Sequence, residues 1–156
     1  MPEKKIDAIS LLEEDHKKVM GFFKDFEKAR AENRKQELYE AIRQELTIHT
    51  TIEQEIFYPA CQEDQEEDVA EALEEHHIIE DLLHELESFG PSDEEFDAKM
   101  TVMMENVEHH AKEEEEKKMF PQAKKDLGME RLRELGDRME RRKMEIQGGQ
   151  ARRSAA

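Results

Sequence analysis

Cysteine, tryptophan, proline and glycine are scarce in this 156-residue chain, which holds one Cys, no Trp, four Pro and six Gly. A single thiol, Cys61, allows no internal disulfide and no thiolate metal cluster, and it fits a reducing, cytoplasmic setting. There is no apolar run of about eighteen residues, so no spanning helix is expected. The start, MPEKKIDAISLLEED, lacks the apolar stretch that follows the lysines of a signal peptide. No Gly-rich phosphate loop and no Ser/His/Asp arrangement is present. Bases are in deficit too: 24 Lys and Arg against 41 Asp and Glu give a net charge of -17. A surface that acidic repels phosphate backbones and anionic lipid, so neither nucleic acid nor membrane is an expected partner.

What remains is rich in Glu, Lys, Leu, Met and Ala, residues that lose little on entering a helix. Apolar residues recur at three- and four-residue steps through five stretches. These predict helices over about 6–31, 35–61, 66–89, 93–125 and 129–146. The segment Phe89-Gly90-Pro91-Ser92 supplies a stop, then Ser92 as an N-cap with Glu95 completing a capping box. Short links make successive helices antiparallel neighbours. The expected fold is all-α, an up-down-up-down four-helix bundle over residues 1–126, with a C-terminal helix over 127–147 packed on it. A mobile tail over 148–156 follows Gly148-Gly149.

A weak internal repeat organises the histidines. His16 and His49 are 33 residues apart, and His76 and His110 are 34 apart, so two helical hairpins carry imidazoles at nearly equal offsets. All four lie on apolar stripes: His16 with Leu12, Val19 and Phe23; His49 with Ile42 and Leu46; His76 with Val69, Leu73 and Ile79; His110 with Met103 and Val107. His49 and His110 are each followed four residues later by a glutamate, Glu53 and Glu114, which one helical turn brings to the same side. His109 and Glu113 repeat that spacing on a poorer stripe. His77 aligns with a wet face.

A lone inward histidine is usually a hydrogen-bonded core residue. Two buried glutamates are harder to explain, because an uncompensated buried carboxylate costs several kcal/mol or is neutralised. Cations make the set His16, His49, Glu53, His76, His110 and Glu114 favourable. Six N/O ligands exceed what one tetrahedral zinc takes, and imidazole with carboxylate suits iron, manganese or zinc. Two iron ions, about 3.5–4 Å apart and bridged by the glutamates, are the expected cofactor, with manganese or zinc as alternatives. The centre would keep a coordination position for dioxygen, nitric oxide or peroxide. The methionines read as gap-filling core, Tyr58 as packing near the site, and the basic run Arg138, Arg141, Arg142 and Lys143 as a solvated face.

The segments LLEEDHKKVMGFF, LTIHTTIEQEIFYPA, EALEEHHIIEDLLHEL and ENVEHHAKEEEEKKMFP resemble the four helices of hemerythrin-like proteins of the HHE cation-binding type. GMERLRELGDRMERRK is similar to the closing helix of stand-alone bacterial members. The resemblance implies a non-haem di-iron centre with the six residues as ligands. Two departures stand out. Glu80 occupies the place where oxygen carriers have a second histidine, which leaves it either an extra ligand or a surface acid. The stretch from His110 to Pro121 is one residue longer than that from His49 to Pro59, which predicts a bulge after Glu114. The leading expectation is a protein that binds or senses dioxygen, nitric oxide or iron. The alternatives are a di-iron enzyme acting on peroxide and a metal-free acidic interaction module.

Overall fold

A computed structural model describes the backbone over residues 6–155 and side chains over residues 6–149. Among the described residues, six α-helices and two π-helical segments follow one another: α1 (Ala8–Lys28), α2 (Glu32–Ile52), π1 (Glu53–Phe57), α3 (Tyr58–Cys61), α4 (Glu66–Leu86), α5 (Glu94–His109), π2 (His110–Met119) and α6 (Phe120–Ala155). Because π1 joins α2 to α3 and π2 joins α5 to α6 without a break, these pieces form single long rods. Four rods make the up-down-up-down bundle, and the far part of α6 is the added C-terminal helix.

Local chemistry sets the ends. Asp7 caps α1, its carboxylate accepting from the Ser10 amide at 3.0 Å and the Ser10 hydroxyl at 2.9 Å. The cap of α5 is Asp93 and not Ser92. The Asp93 carboxylate turns back to accept from the Gly90 amide at 2.8 Å, closing the connecting turn and displacing the expected capping box. Gly128 interrupts α6 with φ 77°, a left-handed conformation that glycine adopts without strain. The chain is redirected there, so that Leu132, Leu135 and Met139 join the core. Gly136 meets the start of α1 so closely that a Cβ would run into the backbone of Ile6, Asp7 and Ala8. From 148 to 155, where a tail was expected, the backbone continues α6; Ala156, with the side chains of 150–155, lies outside the described residues.

The core falls into two apolar clusters. Ile9, Leu12, Ile52, Phe57, Val69, Met119, Phe120 and Leu132 belong to one; Val19, Phe23, Ile42, Leu46, Ile79, Met100, Met103 and Val107 belong to the other. Every rod crosses from one cluster to the other, and at each crossing stands a buried histidine: His16, His49, His76 or His110. The helix period therefore places four imidazoles at one level, walled above and below by hydrocarbon.

Candidate metal centre

Two trios of buried donors meet at that level. His16, His49 and Glu115 bring their ligand atoms within 4.8 Å of one another, and so do Glu53, His76 and His110. Glu53 Oε1 lies 3.1 Å from His49 Nε2 in one trio and 3.1 Å from His76 Nε2 in its own. Glu115 Oε1 lies 3.0 Å from His16 Nε2 and 3.5 Å from His110 Nε2. Each carboxylate thus spans both trios. The Tyr58 hydroxyl donates to Glu115 Oε2 at 2.8 Å and stands 3.1 Å from the Nε2 atoms of His76 and of His110.

All four rings turn Nε2 inward and are held from outside at Nδ1. Asp15 holds His49 at 3.1 Å, Glu116 holds His16 at 2.7 Å, Gln54 holds His76 at 2.9 Å, and Glu75 holds His110 at 2.9 Å. The three carboxylates accept from Nδ1–H, which fixes ring orientation and raises ligand basicity, while Gln54 presents its amide nitrogen to His76. The inner atoms are not satisfied among themselves: His49 Nε2 and Glu53 Oε2 are buried without a hydrogen-bond partner. Leaving a buried carboxylate oxygen so costs about 1–3 kcal/mol or more, whereas a cation accepts both lone pairs at once. The donor set fits metal ions.

The electrostatics agree. Burial pushes His49 down, yet the charge of Glu53, the hydrogen bond to Asp15 and the nearby carboxylates of Glu115 and Glu53 hold it well above the usual imidazole range. Burial likewise opposes His110, but Glu115 and then Glu75 raise it to about 9. Glu115 lies well below the carboxylate range, because the charge of His110 and hydrogen bonds from its neighbours outweigh its burial. Burial, then the charges of Glu115 and Glu53, push the Tyr58 phenol well up, so it stays protonated. A field that raises imidazoles this far is one that favours positive ions.

Five of the six expected donors converge: His16, His49, Glu53, His76 and His110. Glu114 does not join them. It faces outward, 3.4 Å from Lys118 and 3.6 Å from His109, while Glu115 is fully buried in its place. The reason is the wide turn of π2. It begins at His110, ahead of the glutamates and not after them, so the residue five positions on takes the place that an α-helix gives to the fourth. Counting back from proline would have found it, since Glu53 precedes Pro59 by six residues and Glu115 precedes Pro121 by six. Glu80, His77 and His109 are exposed, and Glu113 pairs with Lys117 at 2.8 Å. Lys143 also departs from the solvated face expected of it: it reaches Asp15 at 2.6 Å and so ties α6 to the ring of His49.

The hairpin repeat extends well beyond the histidines. The acid just before each first histidine, Asp15 or Glu75, holds the second histidine of the same hairpin. The residue just after each inward glutamate, Gln54 or Glu116, holds the first histidine of the other hairpin. Tyr58 and Phe120, each preceding a proline, lie against His76 and His16, with ring centroids 5.3 Å and 5.8 Å apart. A repeat that reaches the outer partners belongs to the site's architecture and not to chance burial.

Known proteins are similar to this chain to different extents. A 141-residue match to a DNA nickase of Nostoc sp. is 28% identical and covers 88% of this chain, which spans only 40% of that relative's length. The crystal structure of a hemerythrin HHE cation-binding domain-containing protein from Mycobacterium kansasii superposes with a TM-score of 0.81 at 27% identity, covering 92% of this chain and 89% of that one. The family model described as the hemerythrin HHE cation-binding domain matches residues 7–123, which includes every donor described above. The chain belongs to the hemerythrin HHE cation-binding domain family.

Proposed function

We propose that the chain binds two metal ions, iron foremost, one in each trio of two imidazoles and a carboxylate, and uses them to bind or sense dioxygen or nitric oxide. The observation that carries this reading is the convergence of four Nε2 atoms and two spanning carboxylates, with two buried donor atoms still unsatisfied. Two histidines with one carboxylate is the donor set of non-haem iron sites that keep coordination positions open. When bound, iron supplies redox and Lewis-acid chemistry there. His16, His49 and Glu115 would hold one ion, Glu53, His76 and His110 the other, with each carboxylate shared. Asp15, Gln54, Glu75 and Glu116 orient the rings, and the two apolar clusters exclude water. Manganese and zinc suit the same donors. The lone buried thiol of Cys61, raised to about 12 by burial and then by neighbouring acids, is inert and compatible with a cytoplasmic setting.

Anaerobic iron loading followed by metal analysis tests the reading. Two ions per chain are expected, with a change in optical spectrum on adding dioxygen or nitric oxide. Fewer than about one ion per chain contradicts the two-ion site.

A second reading, turnover of peroxide, draws on Tyr58. Its hydroxyl donates to Glu115 Oε2 beside two of the proposed ligand nitrogens, placed to serve a small oxidant. Steady-state peroxide consumption that disappears with the metal in His49→Ala supports it; reversible gas binding without turnover excludes it.

A further inference from the structure

The metal centre is covered on one side by a cavity of about 20 Å³, lined by the four histidines and by Val19, Met20, Leu46, Ile79, Val107 and Ala111. That is room for about one water-sized body over an apolar cap. Between α1 and α5 runs a surface groove of about 520 Å³, floored by Met20, Phe23 and Met104 and rimmed by lysines and glutamates. One residue, Met20, lines both. His16 lies one helical turn before it and faces the cavity, whereas Lys17, Gly21 and Lys24 on the neighbouring face line the groove. Among the lining side chains, Met20 alone borders both the groove and the cavity.

We infer that Met20 is the gate through which a small ligand passes from the α1/α5 groove to the metal centre, and that its side chain sets both the entry rate and the size limit. This rests on the reading of the centre as a small-ligand site. Methionine is well suited to gating, because it is unbranched, has three rotatable side-chain bonds, and can swing without disturbing its backbone. Met20 is only partly buried and packs against the core cluster from its edge, so movement toward the groove uncovers little hydrocarbon. The rim carries three lysines (17, 24 and 112) and three glutamates (27, 105 and 108). In a chain of net charge -17 such a balanced mouth opposes neither a neutral diatomic nor a small anion.

The test pairs two measurements on the full chain. Stopped-flow association of nitric oxide with the anaerobic, iron-loaded protein should accelerate at least tenfold in Met20→Ala and slow at least tenfold in Met20→Phe. Gly21→Leu should slow it as well, because Gly21 lines the groove, a larger side chain there narrows it, and its Cβ meets nothing within 4 Å. Xenon exchange followed by 129Xe NMR on the protein as purified should change in the same order and needs no metal. Rates within twofold of the parent for all three variants in both measurements overturn the gate. Should Met20→Phe fail to fold, Met20→Ala and Gly21→Leu still decide. If iron loading fails, the metal reading falls while xenon exchange judges the gate by itself; if iron binds and no variant shifts either rate, the gate alone is wrong.

Discussion

Substituting two adjacent glutamates separates the buried donor from its surface neighbour. Glu114 is about one-fifth exposed and pairs with Lys118 at 3.4 Å and His109 at 3.6 Å. Surface pairs of this kind contribute about 0–1 kcal/mol, so Glu114→Gln should lower Tm by at most about 4 °C in a domain of this size and leave metal content unchanged. Glu115 is fully buried and touches His16, His110 and Tyr58. Removing even an outer partner of a metal ligand costs about 10–100-fold in affinity, and Glu115→Gln removes a donor shared by both trios, so a loss of at least about 100-fold is expected. By linkage that is about 2.7 kcal/mol of metal-dependent stability, or about 5–11 °C in Tm at saturating metal. The assay is metal content after dialysis, with thermal unfolding at fixed metal concentration. Should Glu114→Gln lose metal while Glu115→Gln keeps it, the assignment of the inward carboxylate to the wide turn of π2 is refuted.

Metal itself should act as a stabiliser: at about 100 times its dissociation constant it adds about 2.7 kcal/mol, and a chelator should reverse the gain in Tm, whereas a melting curve indifferent to both speaks for a metal-free module. Asp15→Asn should weaken metal binding about 10–100-fold by competitive titration, since the amide no longer forces the His49 tautomer; Lys143→Met, one contact farther out, should cost less, and equal losses would argue against a chain of support running inward. Gly136→Ala should destabilise by about 1–3 kcal/mol, as its Cβ runs into the backbone of Ile6 to Ala8. Gly21→Ala should stabilise by up to about 1 kcal/mol, because its Cβ meets open space in a helix. Calorimetry that ranks these two glycines the other way would dispose of the packing described for the C-terminal helix.

Helix periodicity made the bundle legible, because an imidazole flanked by Leu12 and Val19, or by Met103 and Val107, has only one face to point to. The same logic failed at Glu114. Periodicity assumes a constant turn, and π2 widens the turn inside the very motif being read. The extra residue was visible in the spacing of His110 and Pro121; counting forward from the histidine hides which glutamate turns inward, and only the count back from the prolines absorbs it ahead of Glu115. The outer partners were hidden for another reason. Asp15, Glu75 and Glu116 look like surface acids among 41 acidic residues, and only the convergence of helices shows whose Nδ1 each one meets. Lys143 is the extreme case, 128 residues from Asp15 in the chain.

The two halves of the centre, alike in their inner donors, are unlike outside them. His16 and His49 lean on two carboxylates, Glu116 and Asp15, whereas His76 and His110 lean on one amide and one carboxylate, Gln54 and Glu75. An outer carboxylate makes an imidazole a stronger donor than an amide does, so the first trio would be the better host for the more highly charged of the two proposed ions. Phe120 stacks without a polar atom on His16, while Tyr58 puts its hydroxyl between His76 and His110. The polar handle therefore touches both imidazoles of the trio with the weaker outer donors while donating to Glu115 of the other. The hairpin repeat built a symmetric cradle, and two substitutions within it, Gln54 against Glu116 and Tyr58 against Phe120, are enough to make its two positions chemically distinct.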